Sequence, residues 1–219
     1  MNKLLCGIAA MAAIVVASNI LVQYLILDGL LTWGAFTYPL AFLVTDLMNR
    51  IFGPSAARRV VFVGFVTGVM CSLIGTQVIM LEVDGFKYPA VPFRIAIASG
   101  VAFLIAQFAD ILVFNRLRDA EWWQAPLAST VFGSILDTTL FFTIAFSASL
   151  TIFSDSANDA ISWAWETEPL MKVGANYPLW VSLAIADWLV KLSVAILALI
   201  PFRIIVLKFS KNRNQIFDN

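Results

Sequence analysis

The chain has 219 residues, 61% of them apolar and 13% charged, about half the ~25% charged share of an ordinary globular chain, which excludes a water-soluble fold. Fourteen Lys plus Arg balance fourteen Asp plus Glu, so no basic field exists to hold a nucleic-acid backbone. There is no histidine: serine-hydrolase triads and histidine zinc sites are excluded, and Cys6 and Cys71, both inside apolar runs, read as small core hydrophobes rather than a disulfide or a metal site.

A helix needs roughly 20 apolar residues to cross the ~30 Å hydrocarbon core. Six stretches have that length, at 4–27, 31–52, 60–81, 93–115, 126–150 and 179–202. They predict an all-α, polytopic membrane protein with residues 1–219 forming one six-helix transmembrane domain. In the first stretch, Lys3, the apolar run to Val16 and the small pair Ala17-Ser18 imitate a signal peptide. The run continues through Asn19 to Leu27, which predicts a retained helix. Ala9, Ala13 and Ala17 form a small-residue stripe suited to close packing of helices.

The second stretch contains Pro39, which lacks an N–H and predicts a kink or a break. Asp28-Gly29, Gly53-Pro54, Tyr88-Pro89 with Pro92, Ala125-Pro126 and Tyr177-Pro178 punctuate the gaps. The segment from 151 to 178, with Asp155, Asp159, Glu166 and Glu168, is too polar to span; Trp163 and Trp165 suit an interfacial cap or short amphipathic helix, with a solvated loop as the alternative.

Charge sets the orientation. With the N-terminus inside, Lys3, Arg50, Arg58, Arg59, Arg116, Arg118, Arg203, Lys208, Lys211 and Arg213 all fall on the cytoplasmic side, against Lys87, Arg94 and Lys172 outside. Both termini are expected in the cytoplasm. Trp33, Trp122, Trp123, Trp163, Trp165 and Trp180 sit at span ends or in loops, as an interfacial aromatic belt requires.

An acid at the bilayer centre costs at least ~2.5 kcal/mol, so intramembrane acids are functional candidates. Asp46, Asp110, Asp137 and Asp187 qualify, each with polar company at helical spacing. Asp46, Asn49 and Arg50 share a face, as do Gln107 with Asp110, Ser134 with Asp137 and Thr138, and Asn19 with Gln23. Because each face must avoid lipid, they are expected to converge on one interior cavity. Plainer readings stand beside this one: such groups often only fasten helices together, Asp46 or Asp110 can pair with Arg50, and Asp187 with Lys191, at i and i+4, reads as a structural ion pair. Two intramembrane aspartates could also form an aspartyl protease dyad, but Val-Thr-Asp46 and Phe-Ala-Asp110 lack a glycine-rich surround. A three-plus-three internal repeat relating Asp46 to Asp137 is a weaker idea still.

The run from Tyr38-Pro39 through Phe42, Asp46, Asn49 and Gly53 to Ala57-Arg58-Arg59, with Gly133-Ser134, Asp137-Thr138 and Phe141-Phe142, resembles the queuosine precursor transporter family, also grouped with vitamin uptake transporters. The stretches 94–107 and 122–126 extend the likeness over nearly the whole chain. The resemblance implies an inner-membrane protein that imports 7-cyano- or 7-aminomethyl-7-deazaguanine, precursors of a modified tRNA base, with a fold like the substrate-binding subunits of energy-coupling-factor importers. It puts the base in a cavity lined by Asp46, Asn49, Gln107, Asp110 and Asp137, with Asn19, Gln23 and Thr138 as further candidates.

A guanine-like edge offers adjacent donors that an ionised Asp accepts, and its carbonyl needs an Asn or Gln donor. Phe36, Tyr38, Phe42 or Trp188 could stack on the ring, although ordinary lipid or core packing is the better account of each aromatic taken singly. The expected partners are the base, the lipid bilayer and, as an assembly, a homodimer; no cofactor, metal or catalytic residue is expected. The rival reading is a binding subunit that needs a separate energising complex, for which the Ala9, Ala13 and Ala17 stripe would be a docking surface.

Overall fold

The computed structural model describes residues 2–22, 24–27, 29–83, 86–150 and 152–217, without the side chains of 2, 3, 25, 81, 83, 86–88 and 211–217. Gln23 and Asp28 lie outside the described residues, as do the side chains of Lys3, Lys87, Lys211 and Arg213. In chain order the elements are α1 (Asn2–Leu21), β1 (Leu25–Ile26), β2 (Leu31–Thr32), α2 (Gly34–Thr37), α3 (Leu40–Phe52), α4 (Pro54–Gln77), β3 (Met80–Val83), β4 (Phe86–Pro89), α5 (Phe93–Arg116), α6 (Gln124–Phe146), α7 (Asp155–Asp159), β5 (Thr167–Pro169), β6 (Asn176–Pro178) and α8 (Leu179–Phe217). Among the described residues, α1, α4, α5, α6 and α8 are long and apolar enough to cross a membrane. The chain is an all-α, polytopic membrane protein.

Burial runs opposite to that of a soluble protein. Phe62, Leu112, Leu197 and Ile200 are exposed on the long helices, whereas Asn49, Gln107, Asp110 and Ser134 have no exposed surface. Only a surrounding hydrocarbon phase makes that distribution favourable, since it solvates the apolar exterior and drives polar groups inward.

The stretch 31–52 does not form one helix. α3 has 13 residues, about 20 Å at 1.5 Å per residue, too short to span alone. The break falls at Tyr38-Pro39, where proline cannot donate; both residues keep helical dihedrals, and Tyr38 N bonds Gly34 O (3.0 Å) while Phe42 N bonds Pro39 O (3.1 Å). The two pieces therefore continue in one direction. Ser18 Oγ and Thr37 Oγ1 are 2.9 Å apart, placing α2 at the end of α1, while Met48 of α3 lies over Gly7 near the start of α1. The broken segment thus passes back along α1 through the bundle.

Helix ends also differ from the apolar stretches. α1 stops at Leu21 because the chain turns into the β1–β2 hairpin, with Gly29 at φ 85°. α4 starts at Pro54 rather than 60, since Gly53 at φ 86° reverses the chain in one residue and proline is suited to a first helical position. α6 starts at Gln124 and ends at Phe146. α8 runs on through Pro201 to Phe217.

The two ends of the bundle are unlike. At one end the connections are Gly53 and the short 117–123 turn, and there Arg50, Arg58, Arg59, Arg116, Arg118, Arg203 and Lys208 gather; we call it the basic end. At the other lie all three hairpins, β1–β2, β3–β4 and β5–β6. The 152–178 segment is neither one amphipathic helix nor a bare loop. It is a folded cap of short pieces, in which Ile161 and Ala164 are fully buried against Phe142 and Phe146, and Trp165 Nε1 donates to Phe146 O (2.7 Å).

Arg94 anchors that cap. Expected in an outer connection, it is instead fully buried, donating to Ile144 O (2.7 Å), Ser147 O (2.6 Å) and Asn158 Oδ1 (2.7 Å), with its guanidinium 4.8 Å from the Phe153 ring. It occupies the C-terminus of α6, where carbonyls without partners favour a cation. The face of α1 turned inward is Gly7, Met11, Val15 and Ser18; Ala9 and Ala13 are exposed, so the alanine stripe does not pack within the chain.

Candidate functional site

Among the described residues the intramembrane acids fall into two clusters, not one cavity. The first is built by α3, α5 and α6. Asp46, 2% exposed, accepts from Ser129 Oγ and Thr130 Oγ1, each at 3.1 Å. Asp110 of α5 lies beside Asp46 and Ser129. It is fully buried, and neither of its carboxyl oxygens meets a hydrogen-bond donor. One turn earlier Gln107 accepts from Thr45 Oγ1 (2.6 Å), leaving its buried Nε2 without a partner.

The close approach of α5 and α6 here depends on Gly133. A Cβ at that position would lie 2.7 Å from Phe42 Cε1 and 3.4 Å from both Ala106 O and Asp110 Cβ. Phe42, 1% exposed, therefore lies over Gly133 next to Asp110. On the α8 side, Ala195, Ala198, Leu199 and Phe202 close over Asp46 and Thr130, leaving a void of about 10 Å³, room for roughly one water.

The second cluster lies two turns further along α6. Lys191 Nζ of α8 contacts Asp137 Oδ2 (2.6 Å), Asp187 Oδ2 (2.5 Å) and Thr138 Oγ1 (3.0 Å). Thr138 Oγ1 donates to Asp187 Oδ2 (2.9 Å), and Tyr38 Oη donates to Asp137 Oδ1 (3.3 Å). The ion pair at i and i+4 is thus one arm of a three-helix network, because Asp137 projects from α6 at the same level. Two carboxylates face one ammonium.

The remaining candidates go elsewhere. Asn49 is fully buried but occupied: its Nδ2 donates to Ile111 O (3.4 Å) and its Oδ1 accepts from Arg118 Nη1 (3.4 Å). Asn19 donates to Val15 O of its own helix (2.8 Å) and does not join either cluster. Phe36 is 38% exposed and pairs with Trp33 at a centroid distance of 6.0 Å, so stacking inside the bundle is not available to it. Arg50 donates to Arg118 O (2.6 Å), so it pairs with neither Asp46 nor Asp110. Gln23 lies outside the described residues. Spacing gave no sign of Thr45, Ser129 and Thr130, since hydroxyls in apolar helices usually bond their own backbone.

Residues 32–206 match the model of a family described as "Putative vitamin uptake transporter". A Haemophilus influenzae protein named "Probable queuosine precursor transporter" is 37% identical over 177 residues, covering 78% of this chain and 66% of its own length. The Escherichia coli "Queuosine precursor transporter" is 43% identical over 141 residues, 61% of this chain and 64% of that protein. A Bacillus subtilis protein also named "Probable queuosine precursor transporter" is 27% identical over 128 residues, 52% of this chain and 56% of its own length. The matches span less than two thirds of the length of these curated relatives. No solved structure matches the chain. The family match contains both polar clusters, from Tyr38 to Lys191, and covers well over half of the sequence: the chain belongs to the vitamin uptake transporter family.

Proposed function

We propose that this chain imports a 7-deazaguanine precursor of queuosine into the cytoplasm, and that the Asp46, Asp110 and Gln107 cluster reads the base. One observation carries the reading. On a single face of α5, fully buried, an amide donor without a partner stands one turn from a carboxyl whose two acceptors also lack donors. Unsatisfied buried polar groups are costly, and a guanine-like edge is complementary to both: its carbonyl takes Gln107 Nε2–H, and its ring N–H and exocyclic amine reach Asp110. Asp46 already holds two hydroxyls and plays the supporting part. Phe42, the buried aromatic beside Asp110, is the ring that would turn aside or stack.

Asn49 and Asn19 are left out of this reading, their amides being engaged elsewhere. Asp137, Thr138 and Tyr38 belong to the Lys191 network. All groups of the reading come from one chain, so a homodimer is not required. Relatives named as transporters, and a void of about 10 Å³ beside Asp46, favour carriage over peptide hydrolysis by an aspartyl pair, which needs a peptide groove and a water between the carboxyls.

The broken segment supports a sixth crossing, and with it both termini in the cytoplasm. The exposure of Ala9 and Ala13 supports a second reading, in which a separate energising complex docks on α1. Uptake by the chain alone, in a host lacking such complexes, separates the two.

The test is a thermal-shift panel of 7-deazaguanines, guanine, biotin and riboflavin on the purified protein, since a ligand bound only by the folded state raises the melting temperature. The 7-deazaguanines alone are expected to stabilise it. Asp110→Asn replaces an acceptor with an opposing donor and is expected to lower affinity by roughly a hundredfold; Gln107→Leu removes one neutral hydrogen bond, worth roughly tenfold. Undiminished affinity in Asp110→Asn refutes the base-reading role.

A further inference from the structure

Building on the reading of the base edge by Gln107 and Asp110, we infer that the Lys191 network reads the substituent at the 7-position. Asp137 Oδ1 is the atom that does so, and it selects a cationic aminomethyl group over a neutral nitrile.

Contacts across the bundle set three levels in register. Ser129 and Thr130 of α6 face Asp46 of α3. One turn toward the hairpin end, Gly133 faces Phe42 and lies against Ala106 and Asp110 of α5. One turn further, Asp137 meets Tyr38, whose ring centroid is 6.1 Å from that of Phe103 on α5. α5 therefore passes from Asp110 through Gln107 to Phe103 while α6 passes from Gly133 to Asp137. In a 7-deazaguanine the exocyclic amine, the ring N–H, the carbonyl and the 7-substituent follow one another along one side of the fused rings. With the amine and ring N–H on Asp110 and the carbonyl on Gln107, that order carries the 7-substituent past Gln107 toward the level of Asp137. The four residues from Gly133 to Asp137 rise about 6 Å, a distance that an aminomethyl arm on the ring covers. Gly133, without a side chain, is the floor between the two levels, and Phe42 is the ring that vacates it.

The cluster at that level is one positive charge short. Asp137 and Asp187 share the ammonium of Lys191, and Thr138 and Tyr38 add only hydroxyls. The shortfall falls on one atom. Asp137 Oδ2 holds Lys191 at 2.6 Å, toward α8. Asp137 Oδ1 has the Tyr38 hydroxyl at 3.3 Å, well beyond the roughly 2.8 Å of a good O–H···O bond. A protonated aminomethyl group gives Oδ1 a charge-assisted donor and brings the cluster to two positive charges for two negative. A nitrile only accepts. Beside a carboxylate oxygen it is repelled, and its one donor there is the hydroxyl that Tyr38 would have to withdraw from Asp137.

Calorimetric titration of the purified protein at neutral pH with 7-aminomethyl- and 7-cyano-7-deazaguanine tests this. The wild type is expected to bind the aminomethyl compound at least about tenfold more tightly, the effect of one charge-assisted bond. Asp137→Asn is expected to bring the two affinities within about threefold of each other. Asp187→Asn, which leaves one acid to one ammonium, is expected to narrow the preference as well. Each variant is first checked by its melting curve, so that if one fails to fold the other still decides. Asp110→Asn is expected to weaken both compounds alike and keep the preference. Equal affinities in the wild type, a preference for the nitrile, or a preference that survives in the folded Asp137 and Asp187 variants overturns the inference while the reading of the base edge stands. If the wild type binds neither compound, the reading of the base edge falls, and that of the substituent falls with it.

Discussion

Arg50 and Arg118 each donate to the other's backbone: Arg50 Nη1 to Arg118 O at 2.6 Å, and Arg118 Nη2 to Arg50 O at 3.0 Å. Two like charges are thereby held side by side, because each satisfies a carbonyl near the end of a helix, where the dipole favours a cation. The exchange ties the last turn of α3 to the turn after α5.

Removing either guanidinium is expected to loosen the basic end as a unit. Arg118→Ala leaves the Arg50 carbonyl and Asn49 Oδ1 without their donor, at about 2 kcal/mol for hydrogen bonds from a charged group. Arg118→Lys, a point charge without the planar fork, is expected to restore only part of that. Melting curves in detergent measure both, and equal melting temperatures in Arg118→Ala and the wild type would show that the exchange carries no stability.

Gly133 predicts a steric coupling. Gly133→Ala sets a methyl 2.7 Å from Phe42 Cε1, and overpacking of this kind costs about 1–3 kcal/mol. Phe42→Leu in the same chain clears the contact, so the double variant is expected to be more stable than the sum of the single effects, by more than about 0.5 kcal/mol. A double-mutant cycle of unfolding free energies reads the difference, and strict additivity contradicts the packing described.

At Lys191 the structure contains the ion pair drawn from spacing and adds a second carboxylate to it. With Asp187 as the sole partner, Asp187→Asn would strand the ammonium; with Asp137 at 2.6 Å it does not. The change is expected to cost about 1–2 kcal/mol. Lys191→Met strands two buried acids and is expected to cost about 3–5 kcal/mol. Joint replacement by Asp187→Leu and Lys191→Met still leaves Asp137 with only the Tyr38 hydroxyl, so it is not expected to recover the wild-type melting temperature.

That second carboxylate indicates what a sequence can and cannot convey. Gln107 and Asp110 were legible because the helical period alone puts them on one face, and Pro39 because a missing N–H is a local fact. Asp137 and Lys191 meet across 54 positions, which no spacing rule connects. Asn19 looks like a site residue in sequence, yet an amide in an apolar helix can turn back to the carbonyl four residues earlier, as it does here. Phe36 precedes the proline break and faces outward, a rotation that depends on how the short α2 seats against α1.

The orientation argued from the basic end has its own test. In a background without Cys6 and Cys71, Ser55→Cys is expected to be protected from an impermeant thiol reagent in intact cells, and Asp159→Cys to be labelled. Both positions are exposed, so accessibility reports the side of the membrane. The opposite labelling pattern would invert the topology.

α8 has 39 residues, about 58 Å of helix against the ~30 Å needed to cross. It continues from Phe202, packed between Phe114 and the start of α6, past the last turns of the basic end. For imaging, that length is a ready-made handle. A helical fiducial fused in unbroken register to α8 would inherit the rigidity of a helix seated in the bundle, adding recognisable mass to a 24.1 kDa particle otherwise hidden in its detergent micelle.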